Sequence, residues 1–152
     1  MTTRVLFFSM ISLLTFASFV RPLQTSPKKP AAKPAQKAPD KATMERGKAV
    51  YDMTCMACHQ PDGAGMSPMN PTLVKTKWVL GDKKQLIKIV LKGLKGGEIE
   101  INGDTFNNPM PPQETVLDDQ QVADVLTYVR NSFGNKASIV SAGEVKAVRA
   151  KK

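Results

Sequence analysis

Cys55, Met56, Ala57, Cys58 and His59 place both cysteines and the single histidine of a 152-residue chain in five consecutive positions. Two thiols three positions apart can each form a thioether with one of two neighbouring vinyl groups, and the adjacent imidazole then sits under the iron of the ring that carries them. The chemistry this spacing fits is covalent attachment of a c-type haem, with His59 as one axial ligand. Random placement of two cysteines and one histidine would produce this order roughly once in several thousand such chains.

Two other uses of these residues fit less well. A thioredoxin-like dithiol needs its nucleophilic cysteine at a helix N-terminus, where the dipole lowers the thiol pKa, and Cys55 instead follows a helical stretch. A structural zinc ion usually takes four ligands from two pairs, and the sequence holds no second Cys/His pair. Hydrolytic catalysis by Ser/His/Asp or Cys/His needs an imidazole free to move protons, which an iron-bound His59 is not. No Gly-rich loop of phosphate-binding spacing is present.

The second informative stretch is Asn107, Asn108, Pro109, Met110, Pro111, Pro112. A thioether is a neutral, soft ligand, and His/Met ligation raises the potential of a haem by favouring ferrous iron. Met110 is the candidate distal ligand, with Pro109 and Pro111 restricting the backbone on both sides of it. Met69 is its rival, because Pro68 and Pro71 bracket it in the same way, although it lies close behind His59.

These residues need elements to hold them. A first helix is expected over residues 43–54, with Thr43 as N-cap and Gly47, Val50, Tyr51 and Thr54 on one face. Gly47 costs about 1 kcal/mol relative to alanine inside a helix, so a close helix crossing is expected there. Gln60 to Gly65 reads as a loop by its turn residues. Asp82 caps a helix over residues 83–92 with Gly93 as its stop, and Leu86, Ile87, Val90, Leu91 and Leu94 form its apolar face. Ile99 and Ile101 alternate with polar residues ahead of Asn102-Gly103, which suggests a tight turn or small hairpin. A closing helix is expected over residues 118–133, with Asp118 and Gln121 as a capping box, Gly134 as stop, and Val122, Val125, Leu126, Val129 and Phe133 as its buried stripe.

Outside this body the composition changes. Residues 1–21 carry Arg4 ahead of an apolar run over residues 5–20, the pattern of a secretory signal peptide. The run is shorter than the ~20 residues that span a bilayer comfortably, so export is favoured over a retained N-terminal anchor. Residues 22–43 alternate Pro22, Pro27, Pro30, Pro34 and Pro39 with lysines and alanines, the composition of an extended linker. The net charge of +9 is uneven: seven basic residues face one acidic in 1–43, ten face eleven in 44–133, and five face one in 134–152. The body is close to neutral, which argues against a nucleic-acid partner. Lys75, Lys77, Lys83, Lys84, Lys88, Lys92 and Lys95 nevertheless crowd one stretch, either as solvated helix surface or as a docking patch for an acidic redox partner. In the basic tail, residues 135–152, Ser141 and Glu144 can cap a short helix bearing Val145 and Val148.

Residues 44–134, about six tenths of the chain, resemble a class I cytochrome c. The residues that carry the likeness are Gly47, Val50 and Tyr51, the attachment motif Cys55 to His59, then Asp62, Gly63, Gly65, Pro71, Leu73, the Met110-Pro111 pair, and Leu126 to Val129. Tyr128 to Asn135 with Val140, Ser141, Glu144, Val145 and Arg149 are similar, more loosely, to monohaem modules that serve alcohol and sugar dehydrogenases, quinoprotein enzymes among them. The resemblance implies an all-α domain whose first and last helices cross and hold one haem c, attached through Cys55 and Cys58, with its edge exposed and its iron bound by His59 and Met110. Trp78 either approaches a haem propionate or packs at the rim. The implied function is single-electron transfer in the periplasm, with no catalysis of its own, between a donor such as a dehydrogenase and a respiratory acceptor such as a terminal oxidase. Two alternatives are a haem domain with an open sixth position that binds small ligands or peroxide, and a recruiting subunit of a dehydrogenase complex. Membrane association would run through the N-terminal segment.

Overall fold

Two helices that cross at a glycine organise the fold of the computed structural model, which describes residues 38–96 and 99–151. The leader and residues 22–37 of the linker lie outside the described residues. The first of the two helices, α1 (Lys41–Thr54), begins because the Asp40 carboxylate accepts a hydrogen bond from the Thr43 backbone N–H at 2.8 Å. Its start therefore falls earlier than the Thr43 cap expected from sequence. A carboxylate binds the positive end of a helix better than a hydroxyl does, and it recruits Lys41 to Thr43 from the linker composition into the first turn.

The crossing partner is α5 (Asp119–Asn131), opened by a reciprocal capping box between Asp118 and Gln121. A Cβ on Gly47 would lie 2.2 Å from the Asp124 carbonyl oxygen and 2.7 Å from Tyr128 Cβ, so the backbones touch where the sequence placed its close crossing. Arg46 Nε donates to Asp124 Oδ2 at 2.6 Å beside the contact. Tyr51, Tyr128 and Phe133 form a three-ring cluster with centroids 5.3–5.7 Å apart. Phe133 reaches it from outside the helix, not along the helical stripe expected of it. Helix α5 ends at Asn131, and Phe133 (φ 57°) and Gly134 (φ 74°) are both left-handed, which turns the ring back onto Gly63, where a Cβ would lie 2.6 Å from it.

Between these helices the chain forms α2 (Met56–His59), α3 (Lys77–Leu80) and α4 (Lys83–Lys92). Thr76 caps α3, accepting from Val79 N–H, and Asp82 caps α4, accepting from Gln85 N–H. Helix α3 was not expected from sequence, because four residues are too few to show a period. A two-stranded antiparallel hairpin follows, β1 (Ile99–Ile101) paired with β2 (Asp104–Phe106) in the register Ile99 to Phe106 and Ile101 to Asp104. Asn102 and Gly103 turn it with positive φ at both positions (55° and 91°), the backbone that such a turn demands.

The chain closes with α6 (Ala142–Arg149), capped reciprocally by Ser141 and Glu144. It packs against α4 and α5, with Val145 fully buried in the main core beside Leu86, Ile87, Leu91, Val122, Leu126 and Val129. Thr127 and Val140 exchange two hydrogen bonds beneath it. A smaller cluster of Ile99, Ile101 and Phe106 packs with Trp78 and Leu94. The architecture is thus helical, six helices and one hairpin among the described residues, and none of those helices is long and apolar enough to cross a membrane.

Candidate haem site

The attachment motif sits in a tight turn at the end of α1. Cys55 N–H still bonds Tyr51 O at 2.9 Å, and Cys58 and His59 N–H both bond Cys55 O, at 3.2 and 2.9 Å. This single turn of α2 sets Cys58 and His59 beside Cys55. Neither cysteine is in a disulfide; Cys55 is half-buried and Cys58 exposed. Burial pushes the Cys55 thiol above its ordinary pKa, against the weaker opposing pull of the Thr54 hydroxyl. A raised thiol pKa does not suit an activated dithiol nucleophile.

His59 is 9% exposed, and its Nδ1 lies 2.9 Å from the Pro71 carbonyl oxygen. A carbonyl can only accept, so Nδ1 carries the proton and Nε2 keeps its lone pair free to bind a metal. Burial lowers the imidazole pKa, and the Pro71 bond only partly offsets this, so the ring is held neutral. The loop that brings Pro71 into place depends on two left-handed glycines. Gly63 N–H bonds Gln60 O, Leu73 N–H bonds Gly63 O at 2.7 Å, and Tyr51 OH donates to Gln60 O at 2.6 Å. At Gly65 (φ 71°) a Cβ would lie 2.5 Å from both Asn70 O and Pro71 O, so only glycine lets the carbonyl approach His59.

Met110 reaches the same region from the far side of the sequence. Its backbone N–H and C=O both pair with Leu94, at 3.0 and 2.9 Å. Gly93 permits this, since a Cβ there would lie 2.3 Å from Met110 O. Cys55, Cys58, His59 and Met110 all line one cleft with about 1240 Å³ of open space including its mouth, walled by Val79, Leu86, Ile99, Phe106, Leu126 and Val129. Met110 is the one methionine among the described residues lining it. Met66 and Met69 are 38% and 48% exposed, on the turn beside Asn70. Across the mouth, Asn108 Nδ2 donates to Asn70 Oδ1 at 3.4 Å. Trp78 also lines the cleft, but its Nε1–H donates to Glu100 O at 3.3 Å, which ties the indole to the hairpin.

An apolar cleft with two thiols one helical turn apart, a neutral oriented imidazole and a thioether fits a haem c. The match is chemical as well as steric. Among the described residues no carboxylate lines the cleft, and its walls are mostly aliphatic and aromatic, with Asn70, Thr72, Asn108 and Gln113 among the polar exceptions.

Residues 44–133 match the family model for cytochrome c. The chain belongs to the cytochrome c family. Among curated relatives, this cytochrome c is 37% identical over 108 residues to the gluconate 2-dehydrogenase cytochrome c subunit of Pantoea cypripedii, an alignment covering 69% of this chain and 24% of that protein. It is 32% identical over 107 residues to the Cbb3-type cytochrome c oxidase subunit CcoP of Azospirillum brasilense, covering 66% and 32%. It is 31% identical over 88 residues to cytochrome c-555 of Prosthecochloris aestuarii, covering 58% and 86%. The chain thus spans about a quarter to a third of the length of the dehydrogenase and oxidase relatives. As a cytochrome c it is an electron-transfer haem domain, and its cofactor is covalently bound haem c with iron. When bound, that group supplies a one-electron ferric/ferrous couple.

Several residues that hold the site have no local signature. Asn135 is buried, accepting from Lys75 N–H at 2.7 Å and donating to Leu73 O and Val129 O, which pins the Pro71 loop to the end of α5. Arg130, 2% exposed, donates to Val79 O, Gly81 O and Ser138 O, and burial lowers its pKa against the opposing pull of Glu144 and Asp82. The lysine stretch is partly committed to internal partners. Lys83 pairs with Glu144 and donates to Ile139 O, Lys92 pairs with Glu114 at 2.8 Å, and Lys77 Nζ lies 5.8 Å from the Trp78 ring centroid.

Proposed function

We propose that this cytochrome c is an exported electron carrier in which Cys55 and Cys58 attach the haem and His59 and Met110 fill both axial positions. The observation that carries the reading is that the Pro71-oriented imidazole of His59 and the side of Met110 line one apolar cleft. With both positions filled by the chain, the site exchanges electrons and leaves no coordination place for a substrate. His59 is held neutral and fixed by Pro71 O, and Met110 is fixed by its paired bonds to Leu94, so neither ligand has to move when charge changes. Small reorganisation of this kind favours fast exchange, and the thioether favours the ferrous state. The aliphatic walls exclude water, which further disfavours the more highly charged ferric state.

In this reading the folded part that begins at the Asp40 cap and includes α6 carries the electrons, the chain from residue 22 to Asp40 is a tether, and residues 1–21 are a signal peptide or anchor. The names of the relatives support the partner class: subunits of gluconate, fructose and alcohol dehydrogenases and of a terminal oxidase. Electrons then pass from a periplasmic or membrane-bound dehydrogenase to a respiratory acceptor.

The test is the visible spectrum of the ferric holoprotein, matured in a host that attaches haem, for wild type and Met110→Leu. A methionine-to-iron charge-transfer band in the wild type that disappears in the variant is the expected result. A band that survives the substitution moves the ligand role to another methionine, Met69 first.

A further inference from the structure

Arg149, near the end of α6, makes three hydrogen bonds away from its own helix. Its Nε donates to Asp119 Oδ1 at 2.7 Å, and its two terminal nitrogens donate to the carbonyl oxygens of Glu114 at 2.5 Å and Leu117 at 2.9 Å. Glu114 and Leu117 belong to the loop that leads from Met110 to α5. The opposite side of that loop is held by α4, where Gln113 N–H bonds Val90 O, Glu114 N–H bonds Leu91 O, and Lys92 Nζ pairs with the Glu114 carboxylate. The segment that follows Met110 is therefore clamped between α4 and a guanidinium that comes from the last helix of the chain.

Helix α6 is itself firmly placed, with Val145 fully buried and Glu144 paired to Lys83 of α4. A planar guanidinium with fixed donors suits a brace, because it engages a carboxylate and two carbonyls at once in one geometry. The side chain is 24% exposed and its Asp119 partner 29%, so the bonds are partly shielded from water. Arg149 itself does not line the cleft, but Leu117, whose carbonyl oxygen it holds, does.

We propose that Arg149 is a positioning residue for the distal ligand: by clamping Glu114 and Leu117 it keeps the Met110 loop closed and so keeps the thioether on the iron. The proposal rests on the reading of Met110 as the axial ligand. A loop that opens gives up that ligand, and an external base then takes the place. Opening of the loop and unfolding of the whole domain are different events with different free energies. Arg149 acts on the first.

The experiment is imidazole titration of the ferric full-length holoprotein, following loss of the methionine-to-iron band, for wild type, Arg149→Ala, Arg149→Lys and Arg46→Ala. The Arg46 variant breaks the ion pair to Asp124 at the α1/α5 crossing and lowers overall stability without touching the loop. Denaturant unfolding of each variant is measured alongside. Arg149→Ala is expected to bind imidazole about tenfold more tightly than wild type, with Arg149→Lys in between and Arg46→Ala at the wild-type affinity. A wild type that shows the band while Arg149→Ala binds imidazole like wild type overturns the brace and leaves the Met110 reading intact. The brace is equally overturned when Arg46→Ala tightens imidazole binding as much as Arg149→Ala, because general destabilisation then explains the effect. A wild type without the band overturns the ligand assignment and, with it, the brace.

Discussion

Gly47→Ala and Gly143→Ala place the same methyl group in two helices and should change stability in opposite directions. In α1 the new Cβ would sit 2.2 Å from a backbone oxygen, Asp124 O, where ordinary contact begins at 3.4 Å. The second obstacle is Tyr128 Cβ at 2.7 Å, also close to the backbone, so no flexible side chain can give way. Helix α1 must retreat from α5 by more than an ångström. That movement opens the main inter-helix contact of the domain and disturbs the ring cluster of Tyr51, Tyr128 and Phe133. Overpacking of this kind costs about 3 kcal/mol, of which the better helix propensity of alanine returns about 1, so the net loss is about 2 kcal/mol. In α6 a Cβ on Gly143 meets nothing within 4 Å, and only the propensity gain remains, up to about 1 kcal/mol of stabilisation. Guanidinium unfolding of the two holoproteins, with equal slopes, measures the difference directly. A Gly47→Ala protein as stable as wild type would mean that the crossing tolerates separation without cost.

Val145→Ala should destabilise the holoprotein by about 2 kcal/mol in the same assay, because the side chain is fully buried in the main core; no change would mean that α6 does not dock in solution. Glu144→Gln should lower stability at neutral pH and flatten the loss of stability on acidification. Burial raises the Glu144 carboxyl, but the Lys83 ammonium and the Ser141 amide and hydroxyl outweigh it, so its pKa lies below the ordinary value of 4.5. A depressed folded pKa means that its contribution is present above the ordinary value and disappears as pH falls through the folded one; pH-dependent thermal melts with identical acid limbs would contradict this. Cys58→Ser should leave one thioether, through Cys55, and a shifted ferrous absorption band, checked by mass spectrometry of the intact chain; loss of all covalent haem would be the contrary result.

The parts of the fold that could be read from sequence are those whose physical cause is local. The attachment motif, the Asp82 and Asp118 caps, the Asn102-Gly103 turn and the Ser141/Glu144 box each act over two to five residues, and each of the caps and the turn stands where its spacing placed it. The crossing at Gly47 was legible for a different reason: a glycine in a helix has a cost that a close approach explains. What could not be read depends on partners far apart in sequence. Asn135 and Lys75 are sixty positions apart, Arg130 and Val79 fifty-one, and Arg149 and Glu114 thirty-five, so no periodicity connects them. Phe133 continued the helical stripe of α5 in sequence, yet its left-handed backbone sent it to Gly63, a choice set by tertiary packing. The Asp40 cap was hidden by the proline and lysine composition around it, which marks a linker until the helix it caps is seen. At the candidate site, the residue types were legible and the Pro71 carbonyl that orients His59 was not, because a backbone oxygen leaves no mark on the sequence.

A chain that itself fills both axial positions of the haem carries electrons without binding a substrate. Carbon monoxide added to the ferrous holoprotein at neutral pH tests this most directly, because it binds ferrous haem where a coordination position is open. An absorption spectrum unchanged by the gas in wild type, together with ready binding in Met110→Leu, is the outcome expected of a haem ligated on both sides by the chain. Stoichiometric binding by the wild type would contradict it and make the cleft a ligand-binding site.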